Sequence, residues 1–299
     1  MLICQAWQNG ETKMRYRFLR FPGGKFKAVT FSYDDGLHAD IRLARTLADY
    51  GMKGTFNLST GLMSDVAGKH YLSAGEVKEH IIPLGHEIAI HGHSHSAPGL
   101  NRKIDIINEF LTCRKNLESE FGGIIRGMAY PDSGLKILFG GKEKEEIKFL
   151  LKSLDIAYAR TTYDDRSFAL PNDLLEWSAT AHHTDPDLMK YIDEFLSINE
   201  NKTYASRRWP KLMFIWGHSA EFDDQNNWTL LDEICEKLSG REEIWYATNM
   251  EICEYMQAFD QLVFSLDGKT VYNPTLKTIW FDQDGKIYSV NSGETLTIA

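Results

Sequence analysis

Cysteine is scarce. The 299-residue chain holds four, Cys4, Cys113, Cys235 and Cys253, far apart and with no Cys-x-x-Cys pair. The last three fall in helix-like segments, where a buried free thiol is the plain reading. Long hydrophobic runs are missing too: no stretch reaches the roughly 18 apolar residues of a membrane span. Positive charge is not in excess. The formal net charge of −9 argues against a nucleic-acid or anionic-membrane partner. There is no internal repeat and no low-complexity tract. The opening Met1-Leu2-Ile3-Cys4-Gln5-Ala6-Trp7 is too short and uncharged to read as a signal peptide. The expectation is therefore a cytoplasmic protein, or an extracellular one if a leader has been removed. Oligomeric state leaves no mark in the sequence.

What is present is ordinary globular material, 43% hydrophobic and 25% charged, enough for one large domain or a domain with an appendage. From Lys27 onward, strand-like runs occur at 27–33, 54–58, 87–91, 124–130, 156–160, 175–179, 212–217 and 244–247. Helical patterns lie between several of them. Ile41, Ala44 and Leu47 share a face, with Gly51 as a stop; Ile104, Ile107, Leu111, Leu117 and Phe121 form another, closed by Gly122-Gly123. Glu145 to Leu154, Asp185 to Leu196 and Trp228 to Leu238 read as further helices. Strands alternating with helices predict an α/β fold, a parallel sheet closing into a barrel, with function at the C-terminal strand ends. After Asp260 the composition changes to short β runs parted by Asp267-Gly268 and Asp284-Gly285. The expected organisation is a barrel domain over 1–260 and a small β appendage over 261–299, packed on the barrel.

One strand-like run ends in Ser32-Tyr33-Asp34-Asp35-Gly36, and another in His91-Gly92-His93-Ser94-His95. Successive strand residues face opposite sides, so the two aspartates share an environment only if the chain turns there. Alone, such a pair also reads as a strand cap and turn. A spacing of four lets His91 and His95 converge, and one carboxylate with two imidazoles is a common divalent-metal ligand set. Zn²⁺ is the first expectation, and Co²⁺, Ni²⁺ or Mn²⁺ suit the same donors. His93 alternates away from its neighbours. His38, His70, His80, His86, His182 and His183 match no pattern and read as ordinary.

On these two motifs the chain resembles the polysaccharide deacetylase family over about Lys27 to Met250, with Gly92 where a hydroxyl residue is usual. The resemblance implies a distorted, incompletely closed (β/α) barrel, seven strands being more usual than eight. It implies Asp34 as general base and Asp35, His91 and His95 as metal ligands. Leu212 to His218 resembles the family's last motif, so His218 is the candidate acid, with Glu221 within a turn to orient it. The family's Arg-x-Pro-(Tyr/Phe)-Gly appears as Ala129-Tyr130-Pro131-Asp132-Ser133-Gly134. Ala129 stands where an Arg steadies the base, and Arg160, or less well Arg126, is expected to replace it. The Tyr130 backbone N–H is expected in the oxyanion site. Asp173-Leu174-Leu175-Glu176-Trp177 matches a fourth motif loosely, so Trp177 and Trp216 become candidates to wall the acetyl group or stack on a sugar. The implied activity is metal-dependent N-deacetylation of an acetylated glycan or amino sugar. O-acetyl esterase or small-molecule C–N hydrolase activity on the same site, or non-catalytic carbohydrate binding, are the alternatives.

Overall fold

The computed structural model describes residues 16–68, 70–135, 143–200 and 207–298. Cys4 and the opening heptapeptide lie outside the described residues. The chain enters on β1 (Arg17–Arg20) and then alternates: β2 (Lys27–Asp35), α1 (Asp40–Asp49), β3 (Gly54–Leu58), α2 (Ala74–His80), β4 (Glu87–Ile90), α3 (Lys103–Phe121), β5 (Gly127–Ala129), α4 (Lys144–Ser153) and β6 (Tyr158–Asp164). There follow β7 (Trp177–Ala179), β8 (Ala181–His182), α5 (Leu188–Ser197), β9 (Lys211–Gly217), α6 (Ala220–Asp224), α7 (Trp228–Leu238), β10 (Ile244–Tyr246) and α8 (Asn249–Asp260). Two compact units result. One is Lys27–Ile198 with Lys211–Glu254; the other gathers the described residues of Met1–Phe26, Asn199–Pro210 and Tyr255–Ala299.

The first unit is a mostly parallel sheet of order β7-β6-β5-β4-β3-β2-β9-β8 flanked by helices. β2 is buried along its length until Asp35, as a strand covered on both faces should be. On one edge of β2, β10 pairs residues 27–29 and β3 takes over from Phe31. The sheet is not continuously closed. β7 pairs β6 at one edge and β8 pairs β9 at the other, with only Thr180 between them. The Thr180 N–H donates to the Phe214 carbonyl, and its Oγ1 accepts from the Phe214 N–H. This is the distorted, incompletely closed barrel expected.

The helices form for local reasons that the sequence carries. In α1, Leu43, Ala44 and Leu47 are buried. α2 begins with a reciprocal cap: the Glu76 N–H donates to Ser73 Oγ at 3.3 Å, and the Ser73 N–H to Glu76 Oε2 at 2.8 Å. Two expectations need correction. The buried stripe of α3 is Ile106, Phe110, Cys113 and Leu117, while Ile104 is 54% exposed. Apolar residues surround this helix so widely that periodicity alone does not select the face. And α5 begins at Leu188, so Asp185 and Asp187 precede it rather than forming its first turn. Cys113, Cys235 and Cys253 are buried free thiols.

In the second unit, β11 (Val263–Phe264), β12 (Thr270–Tyr272), β13 (Ile279–Gln283), β14 (Lys286–Val290) and β15 (Thr295–Thr297) form two small antiparallel sheets, β1-β13-β14 and β11-β12-β15. The N-terminal strand β1 thus shares a sheet with the C-terminal segment. Asp284 and Gly285, at φ of 53° and 91°, make the tight turn between β13 and β14. An ionic cluster supports this unit. Asp282 accepts from Arg20 at 2.7 Å and from Arg208 at 2.8 Å, and Glu200 lies 3.2 Å from Arg20. The Arg20 and Asp282 side chains are 0% and 1% exposed. Asp282→Ala leaves two guanidinium groups short of their carboxylate. It is expected to cost about 3–5 kcal/mol, read from urea denaturation; a loss under about 1 kcal/mol would mean that the cluster is solvated in solution.

Candidate metal and catalytic site

The organising feature is a backbone turn. Asp35 adopts φ of +79°, a left-handed conformation that a non-glycine residue rarely holds. It breaks the strand's alternation, so Asp34 and Asp35 both approach the imidazole of His91. His91 Nε2 lies 3.8 Å from Asp34 Oδ2 and 3.4 Å from Asp35 Oδ1. His95, itself at φ of +60°, places Nε2 3.2 Å from the same Asp35 oxygen. Backbone strain gathered at a donor cluster is a common property of functional sites.

The donor chemistry fits a cation. His91 Nδ1 lies 3.0 Å from the Ala129 carbonyl, which can only accept. In the neutral ring Nδ1 therefore carries the proton, and Nε2 turns its lone pair toward Asp35. Asp35 Oδ1 is buried and has no well-aimed hydrogen-bond donor. An oxygen facing two imidazole nitrogens, with nothing donating to it, is how ligands surround a divalent ion. Burial pushes the Asp35 carboxyl up, but the imidazoles of His91 and His95 outweigh it and hold the group well below the usual carboxylate range.

The loop carrying these histidines is pinned from α3. Glu109 accepts from the Ser94 N–H, from Ser94 Oγ at 2.9 Å and from the Ser96 N–H at 3.3 Å. Gly92 has φ of +82°, and a Cβ there would sit 2.7 Å from Glu109 Oε1. The departure from a hydroxyl residue at 92 thus has a local cause. His93 turns away, its Nδ1 3.0 Å from Thr60 Oγ1.

Asp34 is 2% exposed and held from two sides. Asn57 on β3 donates to its Oδ1 at 2.9 Å. Arg160, the third residue of β6, sets its Nη2 against both carboxylate oxygens, 2.6 Å from Oδ1. Burial works to raise the Asp34 carboxyl, but Arg160, His91 and His218 prevail and keep it below its ordinary value. Arg160 also lies 4.3 Å over the Trp216 ring. Arg160 is thus the cation that stands against Asp34. Arg126 is occupied elsewhere, at 2.9 Å from Asp155 Oδ1.

A second group of donors faces this one. His218, just past β9, has Nδ1 3.4 Å from Glu221 Oε1. Glu221 Oε2 lies 3.4 Å from His182 Nε2 and 3.2 Å from His183 Nε2. Burial disfavours the His218 proton, but Glu221, Asp34 and Asp35 outweigh burial and raise the group to about 9. Burial, reinforced by His182, lowers His183 to about 3. Burial likewise lowers His182. A Cβ at Gly217 would lie 2.0 Å from His183 Nδ1, so the strand end is glycine because this ring occupies the space.

Four sequence expectations change here. His182 and His183 are not ordinary: they complete the surroundings of Glu221. The signal is a doubled histidine closing the alternating run Trp177 to Ala181, obscured because β8 is only two residues long. The Tyr130 N–H is not free for an oxyanion, since it donates to the Arg160 carbonyl at 2.9 Å within the sheet. The Tyr130 side chain is buried and donates to the Leu175 carbonyl. Trp177 is 1% exposed and packs edge-on between Tyr158 and Phe214, so it belongs to the core. The acids of its motif are drawn to α4, Asp173 at 2.9 Å from Lys148 and Glu176 to Lys144. Trp216 does reach the site: its Nε1 donates to Asp164 at 2.6 Å, and its ring meets His182 edge-on.

Residues 22–137 match a family model described as Polysaccharide deacetylase. No curated protein matches the chain. Among solved structures, an allantoinase is similar at 13% identity and TM-score 0.55, over 78% of this chain and 91% of its own. A protein from Mycobacterium smegmatis assigned as a polysaccharide deacetylase is similar at 16% identity and TM-score 0.52, over 81% and 94%. A Streptococcus pyogenes deacetylase in complex with acetate aligns at 18% identity and TM-score 0.42, over 49% of this chain and 61% of that one. At such identities the likeness is one of fold.

Proposed function

Through residues 22–137 this chain belongs to the polysaccharide deacetylase family, and on that premise we propose that it is a metal-dependent hydrolase removing acetyl groups from an acetylated glycan or amino sugar. One observation carries the reading: a buried carboxylate kept ionised by Arg160 stands beside the donor set of Asp35, His91 and His95, with His218 opposite. A divalent cation held by that set, Zn²⁺ before Co²⁺, Ni²⁺ or Mn²⁺, would polarise the acyl oxygen and acidify water.

The chain's own groups supply the proton transfers. Asp34 is ionised, and its lowered pKa keeps it so through neutral pH; it takes the proton of the attacking water. His218 carries a proton in the resting site and gives it to the departing nitrogen. Glu221 orients His218 and favours its charged form. Trp216, with Asp164 on its indole nitrogen, walls the space beside Arg160. A binding module needs neither a base nor an acid, which disfavours the non-catalytic alternative.

The deciding test is acetate release from acetylated chitosugars, peptidoglycan fragments and xylan, with and without a chelator. Release from the amide substrates, lost on chelation and restored by Zn²⁺ or Co²⁺, is expected. Release from xylan alone would make the enzyme an esterase. Full activity in protein shown metal-free by elemental analysis would overturn metal dependence.

The acid reading has its own signature. An acid is needed protonated, so kcat/KM falls as pH rises through the His218 value, raised by its carboxylate neighbours to about 9. Glu221→Gln removes one of them, so this alkaline limb should move to lower pH at equal metal content. A limb unmoved by the substitution would take the acid role from His218.

A further inference from the structure

His182, His218 and Glu221 each offer a ligand atom, and these atoms lie within 4.8 Å of one another. Two imidazoles and one carboxylate are the same donors that Asp35, His91 and His95 bring together. They come from three separate elements: His182 closes β8, His218 follows β9, and Glu221 sits in the first turn of α6. His218 and Glu221 are three residues apart on one turn, which aims both side chains the same way.

The group is richer in donors than the orientation of one acid requires. A single carboxylate suffices to hold His218, yet Glu221 faces three imidazoles. His183 is 1% exposed, and neither of its ring nitrogens has a hydrogen-bond partner. Its Nε2 lies 3.2 Å from Glu221 Oε2 without the alignment of a hydrogen bond. His182 has a neighbour suited to a ligating ring: Thr184 Oγ1 lies 2.7 Å from Nδ1 and can accept its proton, which leaves the Nε2 lone pair facing Glu221. The Thr184 N–H, 3.2 Å from the same Nδ1, supports the opposite tautomer, so the ring can also donate to Glu221 when no cation is present.

We infer that His182, His218 and Glu221 form a second divalent-cation site, of the Zn²⁺ class by its nitrogen and oxygen donors, and that its occupation inhibits the enzyme. Inhibition follows from position. The cation takes the place of the proton shared between His218 and Glu221, and the leaving group loses its acid. Only the inhibitory consequence rests on the function proposed above; the binding itself does not.

The experiment is Zn²⁺ titration of chelator-stripped full-length protein by calorimetry, with elemental analysis after gel filtration and Co²⁺ absorption as a spectroscopic readout. Wild type is expected to bind in two steps. Asp35→Ala should abolish the first step and keep the second. His182→Ala and Glu221→Gln should each abolish the second and keep the first. In wild type, turnover should fall at least several-fold as the second step fills, and His182→Ala should escape that fall relative to its own rate at one equivalent. One Zn²⁺ per wild-type chain would overturn the inference. So would a second step that survives in both His182→Ala and Glu221→Gln, since the ion would then sit elsewhere. Melting curves identify any variant that fails to fold, and the near-isosteric Glu221→Gln keeps the test open if His182→Ala does. Protein that binds two ions yet releases no acetate would leave the site standing and remove the deacetylase reading.

Discussion

Replacing Asp34 with Asn is expected to lower the rate constant by on the order of 10²–10⁴-fold while metal stays bound, the usual contribution of a positioned general base. Asn keeps the size and can still accept from Asn57 Nδ2, which lies 2.9 Å from Asp34 Oδ1. It cannot take a proton from water. The adjacent substitution should behave differently. Asp35→Ala removes the oxygen that faces both Nε2 atoms, at 3.4 and 3.2 Å, and leaves two imidazoles. Metal content should fall, and activity with it. Metal content, melting temperature and acetate release for the two variants separate the roles. Metal lost from Asp34→Asn but kept by Asp35→Ala would reverse the assignments. If both aspartates merely cap a strand, each change costs about 1 kcal/mol and turnover survives.

Much of this was legible because it is local. The apolar run into Asp34-Asp35 announces a buried strand with chemistry at its end, and β2 is that strand. The spacing of His91 and His95 forecasts convergence, and both rings meet Asp35. What stayed hidden depends on which strand ends neighbour each other across the sheet. A strand-end position makes Arg160 a candidate; that it reaches Asp34 depends on the curvature that brings β6 opposite β2. His182 closes a two-residue strand and His183 follows it, and so short a strand has no periodicity to read. Alignment of Tyr130 to a motif does not reveal that its N–H is already committed to the Arg160 carbonyl. Trp177 and Trp216 look alike as aromatics near strand ends; only packing separates the core ring from the one beside Arg160. The union of β1 with β13 spans more than 250 residues of sequence, beyond any local pattern.

Arg160→Ala should lower stability and rate together. It leaves the Asp34 carboxylate, 2% exposed, without its cation. Removing one partner of a buried pair costs about 3–5 kcal/mol. Catalysis should fall by on the order of 10²-fold, since the base is both misplaced and mistuned. The pH dependence gives the mechanism away. In wild type the carboxyl is depressed, so its contribution to stability is present above the ordinary carboxylate range and is lost as pH falls through the folded value. Without Arg160, burial is opposed only by His91 and His218, so the carboxyl rises relative to wild type. Its ionised form then contributes less to stability at neutral pH. The stability gap between wild type and variant should therefore widen from pH 4 to pH 7, and the acid limb of kcat/KM should move upward. Arg160→Lys should recover part of the stability and little of the rate, because an ammonium restores the charge but neither the Nη1 hydrogen bond to the Thr161 carbonyl that fixes the group nor the planar contact with Trp216. A variant with a wild-type rate and an unmoved acid limb would show that Asp34 needs no cation, and that the arginine beside it serves the fold alone.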